Sequence, residues 1–567
     1  MGILKKFSLR RMVGRLGQSI KRFPVAMLFV IFLTCFFLYV NHGWRPGSEL
    51  EFFLIFYPAT GALFAVALSL LTEDFKDWRV AVAVQAVAHA VWLAVSVYLA
   101  QFEHFSLPQM ISVSATVFAI GLAIFLICFY RKHQEVPFWN FSIRTVTTLA
   151  VAVVIGGALT LGLLMLAESL KMLFGFHISN EVYADIWTVC MVLLAPSLFM
   201  GLIPKGENKY LTSVSDFSGF AKGVVQYLFI PLLLLYMVTL YAYAAKIMLE
   251  WTLPVGNVSY LVSGSMVLMV LLIYLTFPIQ YQEGNKLFKY VMRWLPVAML
   301  PLLALMTVAI GRRLSDYGIT VSRLYLLVFN VWCYAVCLWL IFTRNKRIWL
   351  IPASFALILF LISVGPQSIC NITQRQLRNE AKNAFTASGI TQFPLSGDQY
   401  EKWLASVDEK TAASIDSKLD YLQDFYRYNS IKDLIGKDAV VGRVSEKADE
   451  NASGYEHYGN WSMITRANIP DGYRQMTWVG NERDESTTID GDKITIVIET
   501  DDGVERSFEL SVKALIALDE EKWKDRKPDP FILDNGKDLF FVNRYSLSIN
   551  PNKTVDFLNI EGLLLTK

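Results

Sequence analysis

The stretch Arg312-Arg-Leu-Ser-Asp-Tyr-Gly-Ile-Thr-Val-Ser-Arg323 links two apolar runs, and we expect each run to form a membrane helix. Gly318 can adopt the left-handed conformation that ends a helix, and Thr320 is a favourable N-cap residue for the next helix. The stretch is therefore predicted to be a tight break between two helices that cross the membrane in opposite directions.

Three arginines of this stretch would lie together at one membrane face. Arg312, Arg313 and Arg323 form the cluster, and Tyr317 lies within the same break. Two roles are open for them: the arginines anchor the helices at the lipid headgroups, or they contact an anionic lipid or solute.

Composition divides the chain into a membrane part and a water-exposed part. Of the 567 residues, 54% are hydrophobic, and the mean hydropathy of +0.41 is too high for a water-soluble chain of this length. Residues 1–365 hold 27 Lys/Arg and 15 Asp/Glu, a net charge of +12, whereas residues 366–567 hold 25 and 34, a net charge of −9. Phosphate would repel an acidic soluble domain, so we expect no nucleic-acid partner and take the lipid bilayer as the first partner.

Eleven apolar runs predict an α-helical polytopic membrane domain. They lie near Pro24–Val40, Phe52–Leu71, Val80–Leu99, Met110–Tyr130, Thr145–Ala167, Ile186–Ile203, Val224–Ala245, Tyr260–Gln280, Leu295–Ile310, Leu324–Phe342 and Ile348–Gly365. With the N-terminus inside, the inner segments carry 21 Lys/Arg and the outer loops carry 6. This bias predicts a cytoplasmic N-terminus and, after an odd number of crossings, a C-terminal domain outside the cytoplasm.

The third run contains a polar pair, Gln85 and His89, which are four residues apart and so share one helix face. A buried histidine and glutamine could line a path for protons or substrate. The alternative is an interhelical hydrogen bond that fixes packing.

After Gly365-Pro366 the sequence becomes polar. Ile415, Leu419, Leu422 and Tyr426 have the spacing of an amphipathic helix. We predict a basic N-terminus (1–22), a membrane domain (23–366), a helical juxtamembrane region (367–437) and an extracytoplasmic β-rich domain (438–567). The last two form a soluble α+β part with a mostly antiparallel sheet. Its candidate strands are Ala439–Val444, Trp461–Ile469, Tyr473–Gly480, Lys493–Thr500, Val504–Val512, Leu539–Ile549 and Thr554–Leu565.

Searches for catalytic patterns return no Walker loop, no G-x-S-x-G, no H-E-x-x-H and no C-x-x-C. We therefore expect no catalytic residues, no metal and no cofactor, and we favour a non-enzymatic protein.

The membrane half resembles a family of uncharacterised bacterial multi-pass proteins, defined only as a domain of unknown function, over roughly residues 20–380. The resemblance rests on Lys21-Arg22-Phe23-Pro24, on Asp316-Tyr-Gly-Ile-Thr-x-x-Arg323-x-Tyr325 followed by Trp332, on Ile351-Pro352 and on Gly365-Pro366. The C-terminal domain resembles the tails of members in Bacteroidetes-like bacteria. The resemblance implies a bacterial inner membrane and a periplasmic C-terminal domain, and it supplies no activity.

Three functions are considered. The first is an envelope scaffold or sensor that presents the periplasmic domain to a periplasmic or membrane protein partner. The second is a transporter or channel for a small or anionic solute. The third is a membrane enzyme acting on lipid-linked substrates.

Overall fold

The computed structural model describes most of the membrane half and part of the chain beyond it. The described residues are 17–44, 48–101, 106–129, 134–176, 178–212, 223–250, 258–278, 286–442, 456–461, 473, 475–479, 487–490, 493–499, 505–513, 531–549 and 555–566. The chain divides into two compact units between Thr373 and Gln374.

The first unit is helical throughout its described segments. Its helices are α1 (Pro24–Asn41), α2 (Ser48–Thr72), α3 (Trp78–Ala100), α4 (Leu107–Leu126), α5 (Glu135–Phe174), α6 (Asn180–Trp187), α7 (Ala195–Leu202), α8 (Ile230–Glu250), α9 (Val258–Thr276), α10 (Lys286–Tyr317), α11 (Val321–Thr343) and α12 (Leu350–Ser363). A π-helical segment, Thr188–Leu194, joins α6 and α7 into one long helix, and a second, Val225–Phe229, leads into α8.

Length and composition give ten helices in the described part of the chain that could cross a membrane, and these correspond to the first ten predicted runs. The eleventh run forms α12, an apolar helix of only 14 residues. The predicted break before α11 is confirmed: Gly318 has a φ of 72°, and Thr320 is the N-cap residue of α11 with extended backbone.

Three contacts fix the direction of α12. At its start, the Glu135 carboxylate accepts hydrogen bonds from the backbone N–H groups of Ile348 and Trp349, both at 3.0 Å. At its end, the Ser112 hydroxyl donates to the carbonyl oxygen of Ser363 at 2.7 Å. Because Ser112 lies early in α4 and Glu135 follows its end, α12 runs antiparallel to α4 over most of its length.

One glycine allows α5 to approach the sixth long helix closely. A Cβ atom on Gly156 would lie 3.0 Å from the Cβ of Ala195 and 3.1 Å from the carbonyl oxygen of Cys190. A larger residue would force the two helices apart, so Gly156 permits this packing.

The boundary between the units falls within α13 (Ile369–Ala387), and α14 (Gly397–Ser406) and α15 (Glu409–Tyr426) belong to the second unit. The predicted amphipathic face is confirmed, since Ile415, Leu419, Leu422 and Tyr426 are all buried in α15. Asp416 is also fully buried there. Its carboxylate accepts hydrogen bonds from the Tyr400 hydroxyl at 2.7 Å and from the backbone N–H of Gly442 at 2.8 Å.

The described residues after 442 form eight strands: β1 (Glu456–Trp461), β2 (Gln475–Val479), β3 (Thr487–Asp490), β4 (Lys493–Glu499), β5 (Glu505–Ser511), β6 (Phe531–Asp534), β7 (Leu539–Ile549) and β8 (Val555–Thr566). Five form a sheet in the order β1-β7-β8-β2 with β6 also on β7, and the other three form a sheet in the order β3-β4-β5. All these pairings are antiparallel, and residues such as Phe508 and Phe540 from the two sheets share one apolar core.

Candidate functional site

A network of charged side chains ties together three chain segments at one end of the membrane helices. Arg22 lies two residues before the start of α1, and Glu73 immediately follows α2. The Arg22 Nε donates to Glu73 Oε1 at 2.5 Å, and its Nη2 donates to Glu73 Oε2 at 3.2 Å. The same guanidinium donates to the carbonyl oxygens of Ile203 at 2.7 Å and Pro204 at 2.9 Å, which follow α7.

A buried lysine closes the network from the segment after α7. The Lys209 side chain is only 2% exposed, and its ammonium lies 3.1 Å from Glu73 Oε2 and 3.3 Å from Asp74 Oδ2. The Tyr210 hydroxyl also donates to Asp74. We call Arg22, Glu73, Asp74, Lys209 and Tyr210 the Glu73 network.

The charges within the Glu73 network compensate one another. Burial by itself lowers the pKa of Lys209, but the surrounding acidic groups Cys128, Glu73, Tyr210 and Asp74 outweigh burial and raise that pKa above its ordinary value. Burial and the hydrogen bond to Asp74 raise the pKa of Tyr210 to about 12. Two cations therefore face two carboxylates, and the lysine stays charged at physiological pH.

This arrangement is suited to holding helix ends together. Both oxygens of Glu73 accept hydrogen bonds from cations, and the Arg22 guanidinium is shared between Glu73 and two backbone carbonyls. A general acid or base would need a carboxyl free to exchange a proton with substrate. We therefore consider the Glu73 network a structural clamp that holds the described helix ends together. Any contact that it makes with a solute would serve binding and not proton transfer.

The predicted intramembrane pair is not joined by a hydrogen bond. The Gln85 amide donates to the Thr72 hydroxyl at 2.6 Å and so links α3 to the end of α2. Both ring nitrogens of His89 are buried, and neither has a hydrogen-bond partner among the described residues. The His89 ring instead packs against Phe29 at 5.9 Å and Phe64 at 5.6 Å between ring centroids.

The arginine cluster is partly committed to its own turn. The Arg323 guanidinium donates to the carbonyl oxygen of Gly318 at 2.7 Å and so closes the break between α10 and α11. Arg312 is exposed and Arg313 is half-buried in the last turns of α10, while the side chain of Tyr317 lies outside the described residues. The anchoring and ligand-binding roles of this cluster both remain predictions.

Sequence reasoning did not identify the Glu73 network as a site. Arg22 was noted only as part of the motif that opens α1, and Glu73 and Lys209 are separated by 136 residues. One local signal was available, because Glu73-Asp74 are adjacent acids directly after a membrane run. Across the described residues, no group of three or more His, Cys, Asp or Glu side chains is arranged to hold a metal ion.

Comparison with known proteins gives a family and no activity. A family model described as "Domain of unknown function (DUF4153)" matches residues 26–376. The chain is also similar to "Uncharacterized protein PM1469" of Pasteurella multocida (strain Pm70), with 22% identity over 463 residues, 76% of this chain and 74% of that protein. No solved structure matches. Because the family model covers more than half of the chain, this membrane protein belongs to the DUF4153 family, which is defined by a domain of unknown function.

Proposed function

We propose that this protein is a bacterial inner-membrane scaffold or sensor that presents its C-terminal unit to a periplasmic or membrane protein partner. The observation that carries the proposal is the course of α12 beside α4. If α12 crosses the membrane, the membrane domain has eleven crossings, and a cytoplasmic N-terminus places residues 374–567 in the periplasm.

The contacts of α12 support an eleventh crossing despite its length. From Ile348, held by Glu135, to Ser363, held by Ser112, the chain rises about 22 Å at the helical rise of 1.5 Å per residue. The α4 segment beside it connects the same two levels, and α4 belongs to a span of 23 residues. A hydrocarbon core of about 30 Å can thin locally around a short helix at a modest cost in free energy.

Charge supports the orientation. Glu135 holds the start of α12, so the exposed Arg344, Lys346 and Arg347 just before it lie at the level of Glu135. The Glu73 network similarly brings together Arg22 and Lys209 at one set of helix ends. Membrane proteins concentrate such residues on the cytoplasmic side.

Fusion reporters test the topology directly. Alkaline phosphatase folds to its active form in the periplasm, so fusions after Ser368 and after Lys567 should be active, and a matched fusion after Lys346 should be inactive. The reverse pattern, or activity after Lys346 and Ser368 alike, would refute an eleventh crossing from a cytoplasmic N-terminus.

The scaffold function needs its own test. Deletion of residues 374–567, with insertion of the membrane domain verified, should abolish the cellular phenotype of the gene and a crosslink to a specific partner formed in living cells. Full function of the truncated protein would overturn the proposal, whatever the fusion reporters show.

A transporter is the second candidate, and one observation favours it. His89 has two buried ring nitrogens with no hydrogen-bond partner among the described residues. Burying such groups without a partner costs free energy, and binding of a proton or a ligand to the ring would offset that cost. In proteoliposomes, His89→Leu should then abolish solute or proton flux while thermal stability is kept. Unchanged flux, or an increase in stability without loss of function, would leave His89 as a packing residue.

A further inference from the structure

A lateral cavity of about 450 Å³ lies within the membrane domain, between α4, α5, α9, α11 and α12. Its floor is formed by buried side chains such as Phe138 and Ile348. Its rim is formed by Val146, Val267 and Leu271, which are 51%, 57% and 50% exposed. The cavity therefore opens sideways to the hydrocarbon, and its volume is in the range of small-molecule pockets.

Hydrogen bonds between helices hold the walls of this cavity in place. The Trp139 indole on α5 donates to the carbonyl oxygen of Tyr274 at 2.7 Å, and the Trp332 indole on α11 donates to the Ser354 hydroxyl on α12 at 3.0 Å. Tyr274 and Trp332 themselves line the cavity. The space is thus built between fixed helices and does not depend on a loose surface side chain.

A turn with three exposed cations stands at one end of the cavity. Arg344, Lys346 and Arg347 are exposed and directly precede Ile348, which lines the cavity. Asn345, at the centre of the turn, is 3% exposed and points the other way. We call residues 344–347 the basic turn.

The basic turn is held in one conformation. The Asn345 amide donates to the carbonyl oxygen of Met292 at 2.8 Å, and the Trp339 indole donates to the carbonyl oxygen of Arg347 at 3.0 Å. Arg344 and Asn345 have φ angles of 53° and 59°, a left-handed backbone that side-chain-bearing residues seldom adopt and that persists only where surrounding contacts impose it. The cations are therefore presented from a preorganised frame.

We propose that this turn and cavity form one binding site for an anionic phospholipid of the surrounding bilayer. The phosphate binds the cations of the basic turn, and one acyl chain enters the cavity from the side. From Ile348 to Phe355 the lining of α12 rises about 10 Å into the membrane, so the basic turn stands at headgroup depth when the cavity holds the upper part of a chain.

Charge and access select this ligand among those a membrane offers. A cavity that opens to hydrocarbon can be filled by a lipid chain without any passage through water. Basic pockets between membrane helices bind anionic headgroups, with each Lys or Arg near the surface contributing appreciably. Glu135 lies near the turn, and its carboxylate accepts the backbone N–H groups of Ile348 and Trp349. One carboxylate beside three exposed cations leaves this region with a net positive charge.

The headgroup half of the proposal is tested by titrating lipids into delipidated full-length protein and counting bound lipids by native mass spectrometry. Phosphatidylglycerol should bind more tightly than phosphatidylcholine with the same chains. The double variant Lys346→Gln/Arg347→Gln should weaken phosphatidylglycerol binding about 10- to 30-fold and leave phosphatidylcholine nearly unchanged. The matched double variant Lys171→Gln/Lys246→Gln, which removes two exposed cations on α5 and α8, should bind like the wild type.

Binding of the acyl chain in the cavity is tested by two matched substitutions on α5. Val146→Trp fills the rim of the cavity, whereas Val154→Trp replaces a 68% exposed valine two turns further along α5 that does not line it. The first should lower binding of both lipids about tenfold, and the second should not. Equal binding of the two lipids to the wild type, or equal losses within either matched pair, would overturn the proposal.

Discussion

Replacing Glu73 by glutamine tests whether the Glu73 network clamps the helix ends. The substitution keeps the shape of the side chain and removes its charge. Glu73 accepts three hydrogen bonds from two cations: from Arg22 Nε at 2.5 Å, from Arg22 Nη2 at 3.2 Å and from Lys209 at 3.1 Å. A glutamine offers one carbonyl oxygen and turns an N–H₂ group toward a cation, so at least one of these contacts is lost.

The magnitude follows from burial. A hydrogen bond to a charged group contributes about 1.5–3 kcal/mol, and breaking a fully buried ion pair costs about 3–5 kcal/mol. Lys209 is 2% exposed, but Glu73 is 27% exposed, so water recovers part of the loss. We expect Glu73→Gln to lower the free energy of unfolding by about 2 kcal/mol, which corresponds to a fall of a few degrees in Tm.

Buried thiols provide the assay. Cys128 is 7% exposed and lies beside Lys209, whereas Cys35 is exposed. In a Cys35→Ser background, a thiol-reactive fluorophore added to the detergent-solubilised full-length protein should report unfolding as the buried cysteines become accessible on heating.

A matched control separates the clamp from a general effect of charge. Lys246 and Glu250 form an exposed ion pair at 3.8 Å, with side chains 64% and 52% exposed. Because such surface pairs contribute little, Glu250→Gln should change the free energy of unfolding by no more than about 0.5 kcal/mol. Identical Tm values for Glu73→Gln and Glu250→Gln would refute the assignment of Glu73 as a clamp.

Two further predictions concern packing and pH. Gly156→Val should lower the free energy of unfolding by about 1–3 kcal/mol, and with it the Tm, because the new side chain meets the sixth long helix. Gly157→Val, with open space around its Cβ position, should leave the Tm nearly unchanged, and equal effects of the two substitutions would show that the two helices are not in close contact. Burial, with the negative charges of Asp424 and Asp416, raises the pKa of Asp420 to about 6. The folded state then holds this proton more tightly than the unfolded state, so wild-type stability should fall as pH rises from about 4 to 6. Asp420→Asn should remove that fall and raise the Tm at pH 8 but not at pH 4, as measured by thermal unfolding, and a Tm gain confined to pH 4 would contradict this sign.

Much of the fold was predictable because its signals are local. Hydropathy alone located the eleven apolar helices, since a membrane helix satisfies its own backbone hydrogen bonds and needs only apolar side chains. The strand β7 was predicted with the bounds that the structure has, Leu539–Ile549, because it is long and rich in β-branched and aromatic residues. The length of α12 was overestimated at 18 residues, because Ile348 and Trp349 belong to its capped entry and Val364-Gly365 have extended or left-handed backbone.

Short strands were not predictable in the same way. Glu456–Trp461, Thr487–Asp490 and Phe531–Asp534 are only four to six residues long, and each is defined by a longer neighbouring strand to which it pairs. The expected strand at Ala439–Val444 is absent from its described part, residues 439–442. Gly442 has a φ of 93°, and its backbone N–H donates a hydrogen bond to the Asp416 carboxylate on α15. The described part of this segment is therefore bonded to a helix and not to a neighbouring strand.

The same distinction between local and distant signals applies to the polar groups. An interhelical hydrogen bond is one of the two roles that the sequence leaves open for Gln85, but the sequence does not identify Thr72 as the partner. Nothing local to Gln85 indicates which residue of a neighbouring helix it will contact. The Glu73 network joins residues 51 and 136 positions apart, a separation that only the fold can bridge.

The described polar groups of the membrane domain bear on the choice between scaffold and transporter. The Asn330 amide donates to the Thr307 hydroxyl at 2.7 Å, and Thr307 also contacts the Tyr334 hydroxyl at 3.1 Å, so these groups join α10 to α11. Groups engaged in helix-to-helix bonds would have to break them to bind a solute, which opposes transport at each such position. His89 is the contrasting case, since its ring nitrogens are buried without a partner among the described residues. The transporter hypothesis therefore depends on His89 and the scaffold hypothesis on residues 374–567, and substitution of the one and deletion of the other separate them.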